Sequence, residues 1–553
     1  MAAIFVAVSF TYPAYLSRAY ATDQAVSNSL VKQLISPEGD NARDLAALSK
    51  FYAERDMQPL WVADSRVTER GLDVVHVISD AEFDGLTPDD YGLGAIEALL
   101  PSTESDDLAE LDLRLSLGLI QLVSDLGSGR TEPAEVDPEL FVYPQDIDKQ
   151  NVIREAANAA DIGVFVAGYR PRHIDYWRLK GKLADYRAIA KAGGWGGVEP
   201  GPLLEVGMTN SRVGQLRMRL RRTGHLPAPR DSVANPHVFD QALVAAVMDF
   251  QIRHGLKPDG KVGQKTLAAI NVPVEVRIEQ IALNLERRRW TPDDVGARYI
   301  SVNLADFSLK LIERGRAVLD MPVVIGSRYN RTPVFSADMT YLVMNPYWNV
   351  PPSIATTELL QKMRADPDYL QDQGFELFSD WTAEAKLLDP RSIDWQDVTP
   401  NRFPYKIRQR PGPNNALGRL KFMLPNEFDI YLHDTPEREH FARSQRSFSH
   451  GCIRVADPER LAAALLDTQP EWALDQIKST IAGGDRQVVA LERSLPVDIT
   501  YLTAWVDENN NIHFRDDVYG RDAMLANALN VQQTWPGAVS AELESGQKTQ
   551  IIQ

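Results

Sequence analysis

Near Ala297 the hydrophobic pattern changes its period, and that change forces at least two kinds of folded unit on the chain. Before it, apolar residues recur at three- and four-residue spacing, as in Asp44–Ala53 and Leu108–Leu126, which gathers them on one face of a helix. After it, Tyr299–Leu304, Ser308–Glu313, Ala317–Ile325 and Tyr341–Asn345 alternate apolar with polar residues, the period of a half-buried strand. The two periods require different packing, and 553 residues exceed what one core serves. Gly193–Pro202, dense in glycine and proline, reads as a linker. Beyond it, Ser211–Leu220, Val238–His254 and Val262–Ile270 read as three short helices, with Leu216, Leu220, Leu243, Val247, Phe250, Leu267 and Ile270 as one small core.

Inside the alternating region, Ser353–Tyr405 turns helical and irregular, an insertion and a candidate lid. Strand texture returns at Phe428–His433 and Ile499–Val506, and Asp457 followed by Pro458 starts a helix. The expected fold class is multidomain α+β. It has a helical scaffold over 28–200, a three-helix unit over 205–275, a β-rich domain over 297–522 with a helical insertion at about 353–405, and a tail over 523–553.

A net charge of -17 disfavours nucleic acid as a partner. The first residues, Met1–Phe10, are apolar and lead to Ala19-Tyr20-Ala21, a small-x-small pattern before Thr22, so 1–21 reads as an export signal or anchor and the expected location is the periplasm. No Lys or Arg precedes the apolar run, which departs from the usual signal pattern. One cysteine, Cys452, excludes an intramolecular disulfide framework. Composition alone makes a lone cysteine a buried small apolar residue; its neighbours argue otherwise.

Those neighbours are Tyr431-Leu-His-Asp-Thr-Pro436 and Ser447-Phe-Ser-His-Gly-Cys-Ile-Arg-Val455. A thiol is mostly protonated at neutral pH, so a nucleophilic cysteine needs an imidazole to take its proton. His433, at the end of an expected strand, suits that role better than His450, only two residues from the thiol. Gly451 permits a tight turn in which backbone amides converge on an oxyanion. A zinc site built from His433, His440, His450 and Cys452 has the right ligand types but irregular spacing, and metal would quench the thiolate. A papain-like arrangement is disfavoured because its cysteine precedes its histidine. His440 is expected in solvent, and His76, His173, His225, His237, His254 and His513 have no evident partners.

His433 followed after a gap by Ser449-His-Gly-Cys-Ile-Arg454 resembles the signature of the L,D-transpeptidase (YkuD-type) catalytic domain. Asn345–Ser353 and Pro411–Phe422 resemble the larger periplasmic, YcbB-like branch of that family. Phe250–Leu256 and Asp259–Leu267 resemble a small peptidoglycan-binding domain. The resemblance implies acyl transfer through a cysteine thioester, releasing D-alanine from tetrapeptide stems and forming 3-3 cross-links. It implies Cys452 as nucleophile, His433 as proton acceptor and donor, the Asp434 backbone carbonyl orienting His433, and His450 and Gly451 shaping the site and its oxyanion hole. Arg454, Tyr431, Trp348 and Ser449 are candidate substrate contacts. Asp434 stands where relatives often carry Gly or Ser, which a backbone role tolerates. No cofactor or metal is expected. The implied partners are peptidoglycan stem peptides and glycan strands, with other cell-wall synthesis proteins also candidates. An L,D-carboxypeptidase and a wall-binding protein with little catalysis are the alternatives.

Overall fold

The computed structural model describes residues 24–34, 42–227, 235–291 and 296–530. The segment 1–21 therefore lies outside the described residues. Among the described residues, no helix is long and apolar enough to cross a membrane.

The front of the chain is helical where the periodicity predicts it. Helices α1 (Ala42–Glu54), α2 (Glu69–Ser79), α3 (Ser105–Ser128) and α4 (Lys149–Asn158) surround a core that includes Tyr52, Trp61, Ile78, Leu115 and Ile153. Asp112 on α3 sits in that core and is satisfied: its carboxylate accepts from the backbone N–H groups of Leu60, Trp61 and Val62 and from the Tyr52 hydroxyl. The region is not wholly helical, since Val62–Ala63 and Arg66–Val67 form a two-stranded hairpin.

Helix α5 (Ile174–Lys191) leaves this core and packs instead with a later helix and hairpin. After the glycine-rich linker come α6 (Ser211–Arg222), α7 (Gln241–Arg253) and α8 (Gln264–Ile270). Six of the seven residues expected to form their core are fully buried, and Leu267 packs on its edge. Helix α9 (Val274–Trp290) then runs back to α5.

The alternating region folds into one sheet from β1 (Arg298–Asn303), β2 (Ser308–Glu313), β3 (Arg316–Gly326), β4 (Phe335–Met344), β9 (Leu420–Met423), β10 (Leu432–His433), β11 (Ser447–Ser449), β12 (Ile453–Val455) and β13 (Gln487–Thr500). The order is β11-β3-β12-β10-β9-β4-β13-β1-β2, and β2 also pairs with β3, so the ladder closes on itself. Closure removes the exposed edges that an open sheet would leave.

The insertion leaves between β4 and β9, which are antiparallel neighbours with Leu420 opposite Met344. Its two ends are thus pinned together: Asn345 N–H donates to the Arg419 carbonyl at 2.8 Å, and the buried Asn345 amide donates to the carbonyls of Ile481 and Asp485, both at 3.1 Å. The insertion is not simply helical. It carries a four-stranded antiparallel sheet, β5 (Trp348–Asn349), β8 (Lys406–Gln409), β6 (Phe375–Phe378) and β7 (Leu387–Leu388) in that order, over a core of its own that includes Leu360, Met363, Leu377 and Trp395. Strand texture is hidden in the sequence because these strands are only two to four residues long.

The expected strand Phe428–His433 reduces to β10, and Ile499–Val506 divides into the end of β13 and the first strand of a hairpin, β14 (Ala504–Val506) and β15 (Ile512–Phe514). The boundary drawn at Asp522 falls inside a helix, Arg521–Ala528, whose Leu525 and Ala526 are buried in the core of the large sheet. That helix also clamps the scaffold. Arg521 is buried and donates to Asp137 Oδ2 at 2.8 Å and Glu139 Oε2 at 3.1 Å, while Phe141 N–H reaches the Val334 carbonyl at 2.8 Å. Removing one partner of a buried ion pair strands the other. Arg521→Met should therefore lower unfolding free energy by about 3 kcal/mol in urea titration, and a loss near zero would contradict the clamp.

Candidate active site

The site forms where β10 and β12 run side by side in parallel, with Leu432 opposite Ile453 and His433 opposite Arg454. Side chains alternate across a sheet. Leu432 and Ile453 both point into the core and are fully buried. His433 and Arg454 therefore face the other way, and one pleat earlier Tyr431 and Cys452 share their face. On the far side of β10, Lys421 of β9 lies opposite His433 in the antiparallel register and joins the same face, with Phe422 in the core.

His433 is buried, and its Nδ1 lies 2.5 Å from the Asp434 carbonyl oxygen. A carbonyl only accepts, so Nδ1 carries the proton and donates, and Nε2 keeps its lone pair. Burial, helped by the nearby Arg454 charge, takes the imidazole down to about 3, so the ring is neutral at pH 7. Cys452 is half-buried, and its thiol points to the Asp429 carbonyl at 3.7 Å. Burial pushes this thiol above its ordinary value, while contact with Tyr431 and the Lys421 charge work the other way. The resting pair is thus a neutral thiol and a neutral imidazole.

The turn that presents the thiol has φ +118° at Gly451, a conformation that disfavours any side chain. Its carbonyl accepts from Thr332 Oγ1 at 2.7 Å, which fixes the loop against β3. Asp434 contributes more than its carbonyl. Its side chain accepts from Arg419 N–H and Thr435 N–H, both at 2.7 Å, and pairs with Arg438. A Cβ on Gly418, where φ is +59°, would fall 2.3 Å from the Asp434 carboxyl carbon, so the loop 411–419 closes against Asp434 only with glycine there.

Residues 297–481, which hold this whole face, match the family described as L,D-transpeptidase catalytic domain. This segment is an L,D-transpeptidase domain. Residues 46–183 match a scaffold domain, and 209–270 match a "Putative peptidoglycan binding domain", so all three parts of the chain carry their own assignment. A Haemophilus influenzae protein named "Putative L,D-transpeptidase" is 35% identical over 247 residues. That alignment covers 45% of this chain and 49% of the relative, so the match spans about half of its length. Among solved structures, the L,D-transpeptidase (residues 123–326) of Xylanimonas cellulosilytica aligns at 16% identity over 54% of this chain and 99% of that one, with a TM-score of 0.17. The L,D-transpeptidase of Stackebrandtia nassauensis aligns at 12% identity over 55% and 95%, with a TM-score of 0.21.

Within the L,D-transpeptidase domain, several residues singled out by sequence sit differently from the expectation. Ser449, expected at the substrate, is buried; its hydroxyl donates to the Cys452 carbonyl at 2.6 Å and accepts the Gly451 N–H at 3.2 Å, so it ties the turn together. That same bond engages the Gly451 amide expected in an oxyanion hole. His450 is exposed, and its Nε2 meets Glu358 of the insertion at 2.5 Å, so it bridges loop and insertion. Arg454 is committed to Glu437. Trp348 packs within the insertion, its ring 6.1 Å from Phe375.

His440 is not solvated but lies against Phe448, with centroids 5.0 Å apart. No three or more His, Cys, Asp or Glu side chains among the described residues gather as a metal-binding group, and His440 and His450 each face glutamates of their own. Partners also exist for histidines that the sequence left without any: His225 meets Asp249 at 2.7 Å and His513 meets Asp507 at 2.9 Å. Sequence reasoning missed Lys421, Glu358 and Thr332. Only Lys421 carries a signal, as the charged residue of the alternating run Leu420–Met423.

A raised thiol keeps gaining thiolate as pH rises past its ordinary value. The rate of Cys452 alkylation by iodoacetamide, followed by mass spectrometry, should climb through about pH 9 without levelling. A plateau beginning near pH 6 would mean a preformed thiolate–imidazolium pair and contradict the neutral resting state.

Proposed function

We propose that the chain is a periplasmic L,D-transpeptidase that forms 3-3 cross-links in peptidoglycan through a thioester on Cys452. The observation that carries the reading is the placement of Cys452 and His433 on one face of adjacent parallel strands, within a domain of that family, with Nδ1 of His433 already held by the Asp434 carbonyl.

His433 Nε2 takes the Sγ proton as sulfur attacks the carbonyl carbon of the third stem residue. The Cys452 amide faces the developing oxyanion, and the Gly451 amide joins it if the Ser449 hydroxyl releases it. Collapse breaks the bond to D-alanine, whose amine takes the proton back from His433. The side-chain amine of a second stem then attacks the thioester, His433 accepts its proton, and that proton returns to the departing sulfur. Asp434 orients the base, while Ser449 and Thr332 hold the turn. The three-helix unit would hold glycan close to the domain.

Transfer to an amine must outrun hydrolysis, and the insertion, reaching His450 through Glu358, would exclude water and order the acceptor. Purified disaccharide-tetrapeptide tests the reading. A cross-linked dimer supports it, free tripeptide alone indicates an L,D-carboxypeptidase, and no product indicates a binding protein. Cys452→Ala should abolish product without changing the circular dichroism, and residual turnover would remove Cys452 as nucleophile. Replacing the insertion by a short turn between Met344 and Leu420 should raise the ratio of hydrolysis to cross-linking, and an unchanged ratio would remove its shielding role.

A further inference from the structure

The imidazolium carries a counter-charge for the thiolate only once the proton has moved, so a cation already present beside sulfur would favour the transfer. The candidate for that charge is on the strand beside the base. Lys421 sits directly opposite His433 on β9, and the alternation that buries Leu420 and Phe422 turns Lys421 to the side of the sheet that carries Cys452. Its ammonium lies over the Tyr431 ring, 3.6 Å from the centroid, and Tyr431 is the residue level with Cys452. Among the described residues the Lys421 ammonium makes no hydrogen bond or ion pair, and the Tyr431 ring face is its contact. A half-buried ammonium is ordinarily neutralised by a carboxylate. Here the ring quadrupole holds it and leaves its charge directed into the site.

We propose that Lys421 is the electrostatic partner of the Cys452 thiolate, a positioning residue that favours deprotonation of sulfur while His433 alone moves the proton. The inference rests on the role given to Cys452 above. The proton passes from Sγ to Nε2 of His433, and Lys421 neither gains nor loses one, so the step balances without a further reactant. The charged and titratable groups around the thiol fit this division. Asp429 disfavours the thiolate, Tyr431 and Lys421 favour it, and the Lys421 charge is itself weakened by burial and by Arg486 while Cys452 and Asp429 support it. Arg454 is already paired with Glu437, so among the described residues Lys421 is the standing cation that acts on sulfur before the proton moves.

The test is the pH profile of Cys452 alkylation by iodoacetamide in the full chain, with circular dichroism as the check on folding. Lys421→Met keeps the aliphatic stem over Tyr431 and removes the charge. It should slow alkylation at pH 8 roughly tenfold and move the profile up by about one pH unit, the low end of what a nearby opposite charge does. Lys421→Arg should restore most of the rate. A Lys421→Met profile that overlays the wild type overturns the proposal.

If Lys421→Met does not fold, Lys421→Gln is the second variant, removing the charge while keeping a polar head. Its alkylation profile should also move up, and a profile that overlays the wild type counts against the proposal. These readouts need no turnover. A failure of Cys452 as nucleophile would appear as persistent product with Cys452→Ala, whereas a failure of Lys421 would appear in the alkylation profile.

Discussion

The parallel register of two very short strands governs the site. With Leu432 opposite Ile453 in the core, the residues on either side have no choice of face, and His433, Tyr431, Arg454 and Cys452 emerge together. A slip by one residue would bury the imidazole and the thiol in an apolar core and expose Leu432 and Ile453. The rest of the domain resists that slip. The closed ladder fixes β10 between β9 and β12, and the Thr332 and Ser449 hydroxyls hold the turn before Cys452. Asp434 joins β10 to the loop that ends the insertion.

The same arrangement sets the electrostatics. Burial makes the cationic imidazole costly, so His433 waits neutral and fixed in one tautomer by the Asp434 carbonyl. Burial also makes the thiolate costly. A pair that is neutral at rest does not oxidise readily, and in the proposed reaction it passes one proton when a carbonyl arrives. The insertion is tied into this system at its base by Asn345 and at its far side by Glu358 against His450, so a movement of the insertion would be felt at the residue two positions before the thiol.

Much of this was legible in the sequence because the strongest signals are periodic. The helix-to-strand change near Ala297 located the large sheet, and the three-helix core was named almost residue by residue. Spacing and resemblance make Cys452, His433 and the carbonyl of Asp434 candidates, and the structure places Cys452 and His433 on one face with the imidazole against that carbonyl. What escaped depends on long-range closure. The insertion's strands are too short to show a period. Glu358 lies 92 residues from the histidine it meets, and no local pattern announces that contact. Ser449 could not be told from a substrate contact because its partners are backbone groups of its own turn. Lys421 is not singled out in the sequence, because only the register places it opposite His433.

The central claim, that Cys452 carries the acyl group during transfer, is tested most directly by rapid quenching of the protein with disaccharide-tetrapeptide, followed by intact-mass analysis and peptide mapping. The account predicts a transient mass increase equal to the substrate less D-alanine, confined to the peptide containing Cys452 and absent in Cys452→Ala. Product formation with no adduct on that peptide at any quench time would contradict it.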